Sequence, residues 1–222
     1  MFFKKFKNNK NFSLGFTALE LLVTLAIIGF ITAIVMYNQS DFSDRVSLGN
    51  TANDIDLQIR EMQTFGTSVR ETSPSSNEFA NAYGVNFILS GTGASNSSFT
   101  VFADRNIKTG SYDSAGVTCT PLTGSTPECL SKFNLTRNNI ISDLCVVQSN
   151  NAEACYSGAT VGRIDITFLR PNPDANIKFY NSSGTLLNGT YPGFKGAKIQ
   201  IKSPLNHTTN IYVFTTGEVY IQ

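Results

Sequence analysis

One carboxylate lies inside a long apolar run near the N-terminus. From Phe16 to Tyr37 the only charged side chain is Glu20. A helix over this run would be about 33 Å long at ~1.5 Å per residue, which is enough to cross the hydrocarbon core of a bilayer. An acid in such a segment is costly and is expected to have a functional partner. A partner with a positive charge would reduce the cost, because a charge pair removed from water costs less than either charge alone.

The run is preceded by a basic leader, residues 1–15, which contains no acidic residue. Its lysines are Lys4, Lys5, Lys7 and Lys10. Such a charge bias predicts that the leader stays in the cytoplasm and that the chain after the run lies on the other side of the membrane. An ordinary secretory signal has a shorter apolar core, ~7–15 residues, followed by a small-x-small cleavage site, and residues 32–38 show none. The apolar run then either has an acid with a functional partner or is a plain single-pass membrane anchor in which the acid has no function.

Four cysteines could form disulfides or bind a metal. Cys119, Cys129, Cys145 and Cys155 are separated by nine, fifteen and nine residues, and the only histidine is His207. The close cysteine spacing of a zinc site is absent, and a position outside the membrane allows oxidation. We therefore predict disulfides rather than a metal site or free thiols. Three pairings are open; the local pairs Cys119–Cys129 and Cys145–Cys155 close the shortest loops and are preferred, at roughly 2–3 kcal/mol each.

The sequence contains no motif of a known catalytic site. A nucleophile elbow, a phosphate-binding glycine loop and a histidine-containing triad are all missing, which predicts no enzyme activity and no cofactor. Asp165 and Asp174 suggest a paired-carboxylate mechanism. However, Asp165 lies on the polar face of an alternating strand, and Asp174 follows Pro173 in a turn. Both carboxylates are therefore predicted to be solvated.

Four lysines in the second half of the chain would offer a DNA-binding patch if they lay together: Lys178, Lys195, Lys198 and Lys202. The whole chain has 17 basic and 16 acidic residues, so removal of the lysine-rich leader leaves more acids than bases. Phosphate contacts require clustered lysine and arginine. Solvated strand and loop lysines are the favoured interpretation, and DNA binding is the alternative.

A helical period continues beyond the apolar run. Apolar or small residues recur at spacings of three and four, the pattern of one helix face: Leu48, Ala52, Ile55, Ile59, Met62, Gly66 and Val69. We predict one helix from about residue 16 to about 69, with an apolar segment 16–37 and an amphipathic continuation 38–70. Polar residues at 38–44, together with Gly49, predict looseness there.

After Pro74 the pattern changes to a period of two with turn residues between short runs. The predicted strands are 82–89, 98–103, 140–147, 163–169, 175–180, 197–202, 210–214 and 218–221. The fold class is therefore α+β: a long, partly transmembrane N-terminal helix packed on an antiparallel sheet, with a β-rich globular domain over residues 71–222.

The leader junction closely resembles the type IV prepilin signature. In that signature a glycine precedes the cleavage site, a phenylalanine begins the mature chain and a glutamate is its fifth residue, matching Gly15, Phe16 and Glu20. The resemblance implies that a prepilin peptidase cuts between Gly15 and Phe16 and that the new amine is methylated. It also implies that Glu20 pairs with the terminal amine of a neighbouring subunit during assembly.

A second resemblance lies near the C-terminus. Residues 166–171, and the closing segment 211–219 with its glycine turn, are similar to the pattern of minor pilins and pseudopilins of the GspH/FimT kind. This resemblance implies a structural subunit of a type IV pilus or a type II secretion pseudopilus. Its partners would be other pilin subunits, the prepilin peptidase and the inner membrane, with the globular domain on the extracytoplasmic side. Some FimT-like proteins bind DNA, which is the alternative function. The middle, 92–162, matches no family pattern.

Overall fold

A computed structural model describes residues 16–69, 81–105, 108–113, 119 and 128–222. The leader, with Gly15, lies outside these residues. The chain divides into two units, Met1–Phe42 and Ser43–Gln222. Helix α1 runs from Ala18 to Thr67 and contributes to both units.

The described part of the first unit is apolar helix. The Thr17 side-chain oxygen accepts a hydrogen bond from the backbone N–H of Glu20 at 3.3 Å, which caps the first turn. Side chains from Phe16 to Tyr37 are exposed, and the helix is long and apolar enough to cross a membrane. Helical structure continues through 38–44 and through Gly49, so the predicted looseness was wrong. A glycine costs only about 1 kcal/mol within a helix, which a long helix tolerates.

The described residues of the second unit form ten strands in two antiparallel sheets. The strands are β1 Ala82–Ile88, β2 Ser98–Asp104, β3 Cys129–Asn134, β4 Ile140–Val147, β5 Glu153–Cys155, β6 Arg163–Phe168, β7 Ala175–Tyr180, β8 Gly196–Lys202, β9 Thr208–Phe214 and β10 Val219–Ile221. The first sheet has the order β3-β2-β1-β6-β7 and the second β10-β9-β8-β4-β5.

The α+β class is confirmed, but the expectation of a single sheet was wrong. Strand β4 pairs with β8, and β6 pairs with β1, so neighbours along the chain belong to different sheets. Periodicity reports which residues a strand buries, not which strand it pairs with. The sequence also missed β3 and β5, two edge strands with mixed burial patterns.

The core forms between helix α1 and the buried faces of both sheets. Most of the predicted helix face is buried: Leu48, Ala52, Ile55, Ile59, Met62 and Gly66. Val69 is 75% exposed, because the helix ends at Thr67. Side chains of β1, β4, β6 and β8 complete the same cluster, which includes Phe87, Leu144, Ile166 and Ile199.

Two polar and steric features position the helix against the sheets. The Asn139 amide nitrogen donates to the hydroxyl oxygens of Thr51, at 2.7 Å, and Ser47, at 3.2 Å. At the other end, a Cβ atom added to Gly66 would lie 2.3 Å from the carbonyl oxygen of Phe168. Glycine at that position therefore allows the helix to approach β6 closely.

Candidate functional site

The charged group of the apolar helix lies at its N-terminal end. Glu20 is in the first turn of helix α1, four residues after Phe16, and both side chains are exposed. A carboxylate in a first turn is stabilised by the partial positive charge of the helix N-terminus. The surface around it is apolar, with large exposed side chains at Leu19, Leu21 and Leu22. The arrangement presents one negative charge on a hydrocarbon surface.

The cysteines form two local disulfides, Cys119–Cys129 and Cys145–Cys155, with Cα–Cα distances of 5.2 Å and 4.0 Å. The second joins directly opposed residues of β4 and β5. Among the described residues, one group of potential ligand atoms lies close enough together to hold a metal ion: those of Asp143, Cys145 and Cys155. Both sulfurs are bonded to each other, so neither is available as a thiolate ligand.

The four lysines of the alternative DNA-binding patch are divided between the two sheets. Lys178 belongs to β7 of the first sheet, and its ammonium donates to the carbonyl oxygen of Thr109. The other three lie at or within β8 of the second sheet. Lys198 is only 9% exposed and forms an ion pair with Glu153, so the expectation of a solvated lysine was wrong at this position, where a neighbouring strand covers the side chain. Lys195 donates to the Asn151 side chain at 2.8 Å. Lys202 ends β8.

Asp165 is not solvated, so that prediction was wrong. Its side chain is fully buried, forms an ion pair with Arg163, and accepts further hydrogen bonds from the Asn86 amide and from the Tyr112 backbone N–H at 3.1 Å. Burial raises the pKa of the Asp165 carboxyl, and the hydrogen bond and charge of Arg163 oppose that rise. Asp174 is exposed, in agreement with its predicted position in a turn.

A second buried acidic group was not anticipated from the sequence. Glu128, directly before the disulfide residue Cys129, accepts a hydrogen bond from the backbone N–H of Asp113 at 2.5 Å. Burial raises its pKa to about 7, and the negative charges of Asp113 and Asp104 add to the effect. Burial also raises the pKa of Asp104, against hydrogen bonds from the backbone of Gly110 and Thr109. No spacing rule links these acids, so only the fold brings them together.

His207 lies in the turn between β8 and β9, where its backbone N–H donates to the Ser203 hydroxyl at 3.1 Å. His207 directly follows Pro204, Leu205 and Asn206, and the proline and asparagine of that stretch favour a turn.

No protein family model, curated protein or solved structure matches this chain. The chain itself combines a long N-terminal apolar helix, an α+β domain of antiparallel sheets and two disulfides. That combination is compatible with a pilin-like fold.

Proposed function

We propose that this protein is a minor pilin or pseudopilin. It would be cut between Gly15 and Phe16 by a prepilin peptidase, methylated on the new amine, and assembled from the inner membrane into a type IV pilus or a type II secretion pseudopilus. The observation that carries the proposal is Glu20, a single acid in the first turn of an exposed apolar helix that begins at Ala18, three residues after Gly15.

The exposed apolar surface supports assembly. Large side chains such as Leu25, Ile28 and Ile31 are more than half exposed. In a bilayer these side chains contact lipid. Once a subunit leaves the bilayer, the same surface must contact another apolar surface, since exposure to water costs roughly 25 cal/mol per Å². The helices of neighbouring subunits supply that surface in a filament.

Glu20 gives the assembly a preferred register. Cleavage creates an ammonium group at Phe16, and a neighbouring Glu20 carboxylate neutralises it when the two helices are at the correct axial offset. Any other offset leaves two charges unpaired among apolar side chains, which is strongly unfavourable. The leader must be removed first, because the uncut chain has no amine at this depth.

The experiment compares Glu20→Ala with a matched charge loss on the same helix, Asp54→Ala, whose side chain is exposed. We expect the Glu20 variant to enter the membrane and to be cleaved normally, but to be depleted at least about tenfold from purified filaments, the equivalent of about 1.4 kcal/mol. The Asp54 variant should be incorporated normally. Normal incorporation of Glu20→Ala contradicts the proposed role.

Mass spectrometry of the protein from its own host tests the processing step. A mature chain that begins with methylated Phe16 is expected. Retention of residues 1–15 in the assembled protein would contradict the proposal, and the plain anchor would then explain the apolar helix. Recovery in filaments sheared from the cell surface would identify a pilus subunit, whereas retention in the envelope would identify a pseudopilus subunit.

A further inference from the structure

Three aromatic rings lie together on the outer face of the second sheet. Tyr212 and Phe214 are two residues apart on β9 and therefore point to the same side, and Tyr220 on β10 is directly opposite Tyr212. The Tyr212 centroid lies 6.4 Å from each of the other two, with interplanar angles of 11° to Phe214 and 34° to Tyr220. Tyr220 is 51% exposed, and the other two are half-buried. We call Tyr212, Phe214 and Tyr220 the aromatic face.

The central ring of the aromatic face is bordered by ordered neighbours. Its centroid lies 6.4 Å from Phe214 and 6.4 Å from Tyr220, and Lys198, directly opposite Tyr212 on β8, forms an ion pair with Glu153 on β5. These neighbours restrict the rotamers of Tyr212 before any ligand arrives. A ring ordered in advance loses little conformational entropy when it binds a ligand.

A row of amide and hydroxyl groups continues from the rings on the same side of the sheet. Gln200 is two residues from Lys198, and its amide nitrogen donates to the Asn210 side-chain oxygen at 3.0 Å. The Ser142 hydroxyl bonds to the Gln200 side-chain oxygen at 3.1 Å. An amide side chain has two N–H donors and a carbonyl that accepts two hydrogen bonds. The Asn210 amide nitrogen is therefore a donor for a ligand that also contacts the rings.

The charge of this surface indicates which ligand fits. The charge of Lys198, directly opposite Tyr212, is cancelled by Glu153. Lys202, two residues beyond Gln200 on the same side of β8, adds one positive charge, and Glu218, in the turn that joins β9 to β10, adds one negative charge, so the net charge of this surface is zero. A nucleic acid requires uncompensated cations along its phosphates. A neutral polymer binds without such cations. To fit this surface, it must offer apolar C–H groups to the electron-rich ring faces and hydroxyl groups to the amide side chains. Sugar rings combine both on one molecule.

We propose that the aromatic face, with Gln200 and Asn210 beside it, binds a neutral polysaccharide. The sugar C–H faces stack on Tyr220, Tyr212 and Phe214, and the sugar hydroxyls bond to the amide row. Binding at this face does not require filament assembly, so it stands apart from the function proposed above and is testable on unassembled chains.

The test measures binding of the full-length chain, in micelles of a detergent without a sugar headgroup, to immobilised β-glucan, dextran and galactomannan. A thymidine oligonucleotide is the charged comparison probe. We expect binding to at least one neutral polysaccharide. Tyr220→Ala should weaken that binding by at least about fivefold, the lower end of one aromatic stacking contact, while Tyr220→Phe retains it. The matched control is Tyr156→Ala; Tyr156 is 36% exposed and lies outside the aromatic face.

Three results would overturn the proposal. The first is no binding to any of the three neutral polysaccharides. The second is binding to the oligonucleotide alone, which would identify a nucleic-acid surface. The third is polysaccharide binding that Tyr220→Ala leaves unchanged, or that Tyr220→Phe weakens as strongly as alanine does. Thermal unfolding of each variant accompanies the assay. If Tyr220→Ala unfolds, Tyr220→Leu, which keeps an apolar side chain but lacks the ring, is measured against the same fivefold criterion.

Discussion

Replacement of Glu128 by glutamine should change how the stability of the protein depends on pH. Burial and the nearby negative charges of Asp113 and Asp104 raise the pKa of Glu128 from 4.5 to about 7. The folded state therefore holds this proton more tightly than the unfolded state does. The resulting stabilisation is fully present below pH 4.5 and is lost as the pH rises through about 7.

The size of the effect follows from the shift. One pKa unit corresponds to about 1.4 kcal/mol, which caps the contribution of Glu128 at about 3 kcal/mol, and partial hydration reduces it to about 1–2 kcal/mol. Glutamine cannot ionise, so Glu128→Gln should remove that part of the pH dependence. Between low pH and a pH above 7, the free energy of unfolding of Glu128→Gln should therefore fall by less than that of the parent protein. The buried carboxyls of Asp104 and Asp165 have raised pKa values too, so a smaller slope of the same sign remains.

The assay is urea unfolding of the full-length chain in micelles, followed by tyrosine fluorescence at intervals between pH 4.5 and pH 8, a range that spans both ends of the shift. Glu218→Gln is the matched control, because Glu218 is an exposed glutamate. Its pH profile should follow that of the parent protein. An identical profile for Glu128→Gln and the parent would refute the reasoning, as would a parent protein whose stability rises with pH over this range.

Two further changes test the core and the buried ion pair. Ile59→Ala should lower the free energy of unfolding by about 2–5 kcal/mol, because Ile59 is fully buried. Leu57→Ala, on the exposed side of the same helix, should change it by less than about 0.5 kcal/mol. Equal effects of the two variants in denaturant titrations would contradict the assigned helix face. Asp165→Ala should cost about 3–5 kcal/mol, because it leaves Arg163 without its carboxylate partner. A loss below about 1 kcal/mol in the same titration would show that Asp165 is solvated after all.

Local patterns were sufficient for most elements of the fold. The three-four spacing from Leu48 to Met62 predicted the buried helix face, and alternation predicted eight of the strands within a few residues. The final hairpin turns at Gly217, which adopts a positive φ of 82°. These features depend on residues close together along the chain, where side-chain period and turn chemistry act directly.

Edge strands and strand partners were not predictable in this way. Strand β3 alternates poorly, and β5 has only three residues, so neither stands out from a loop. The assignment of strands to two sheets depends on contacts between residues far apart in sequence, such as β4 with β8. No local pattern contains that information.

The amino-acid sequence alone determined the apolar helix, its single acid Glu20, the β-rich remainder and the α+β class, because each follows from composition or from spacing along the chain. Only the tertiary structure decided that Asp165 is buried beside Arg163, that Glu128 lies near Asp104, and that Lys198 is neutralised by Glu153. The physical reason is that the environment of a charged group is set by neighbours that folding brings from distant parts of the chain, and its residue type does not specify them.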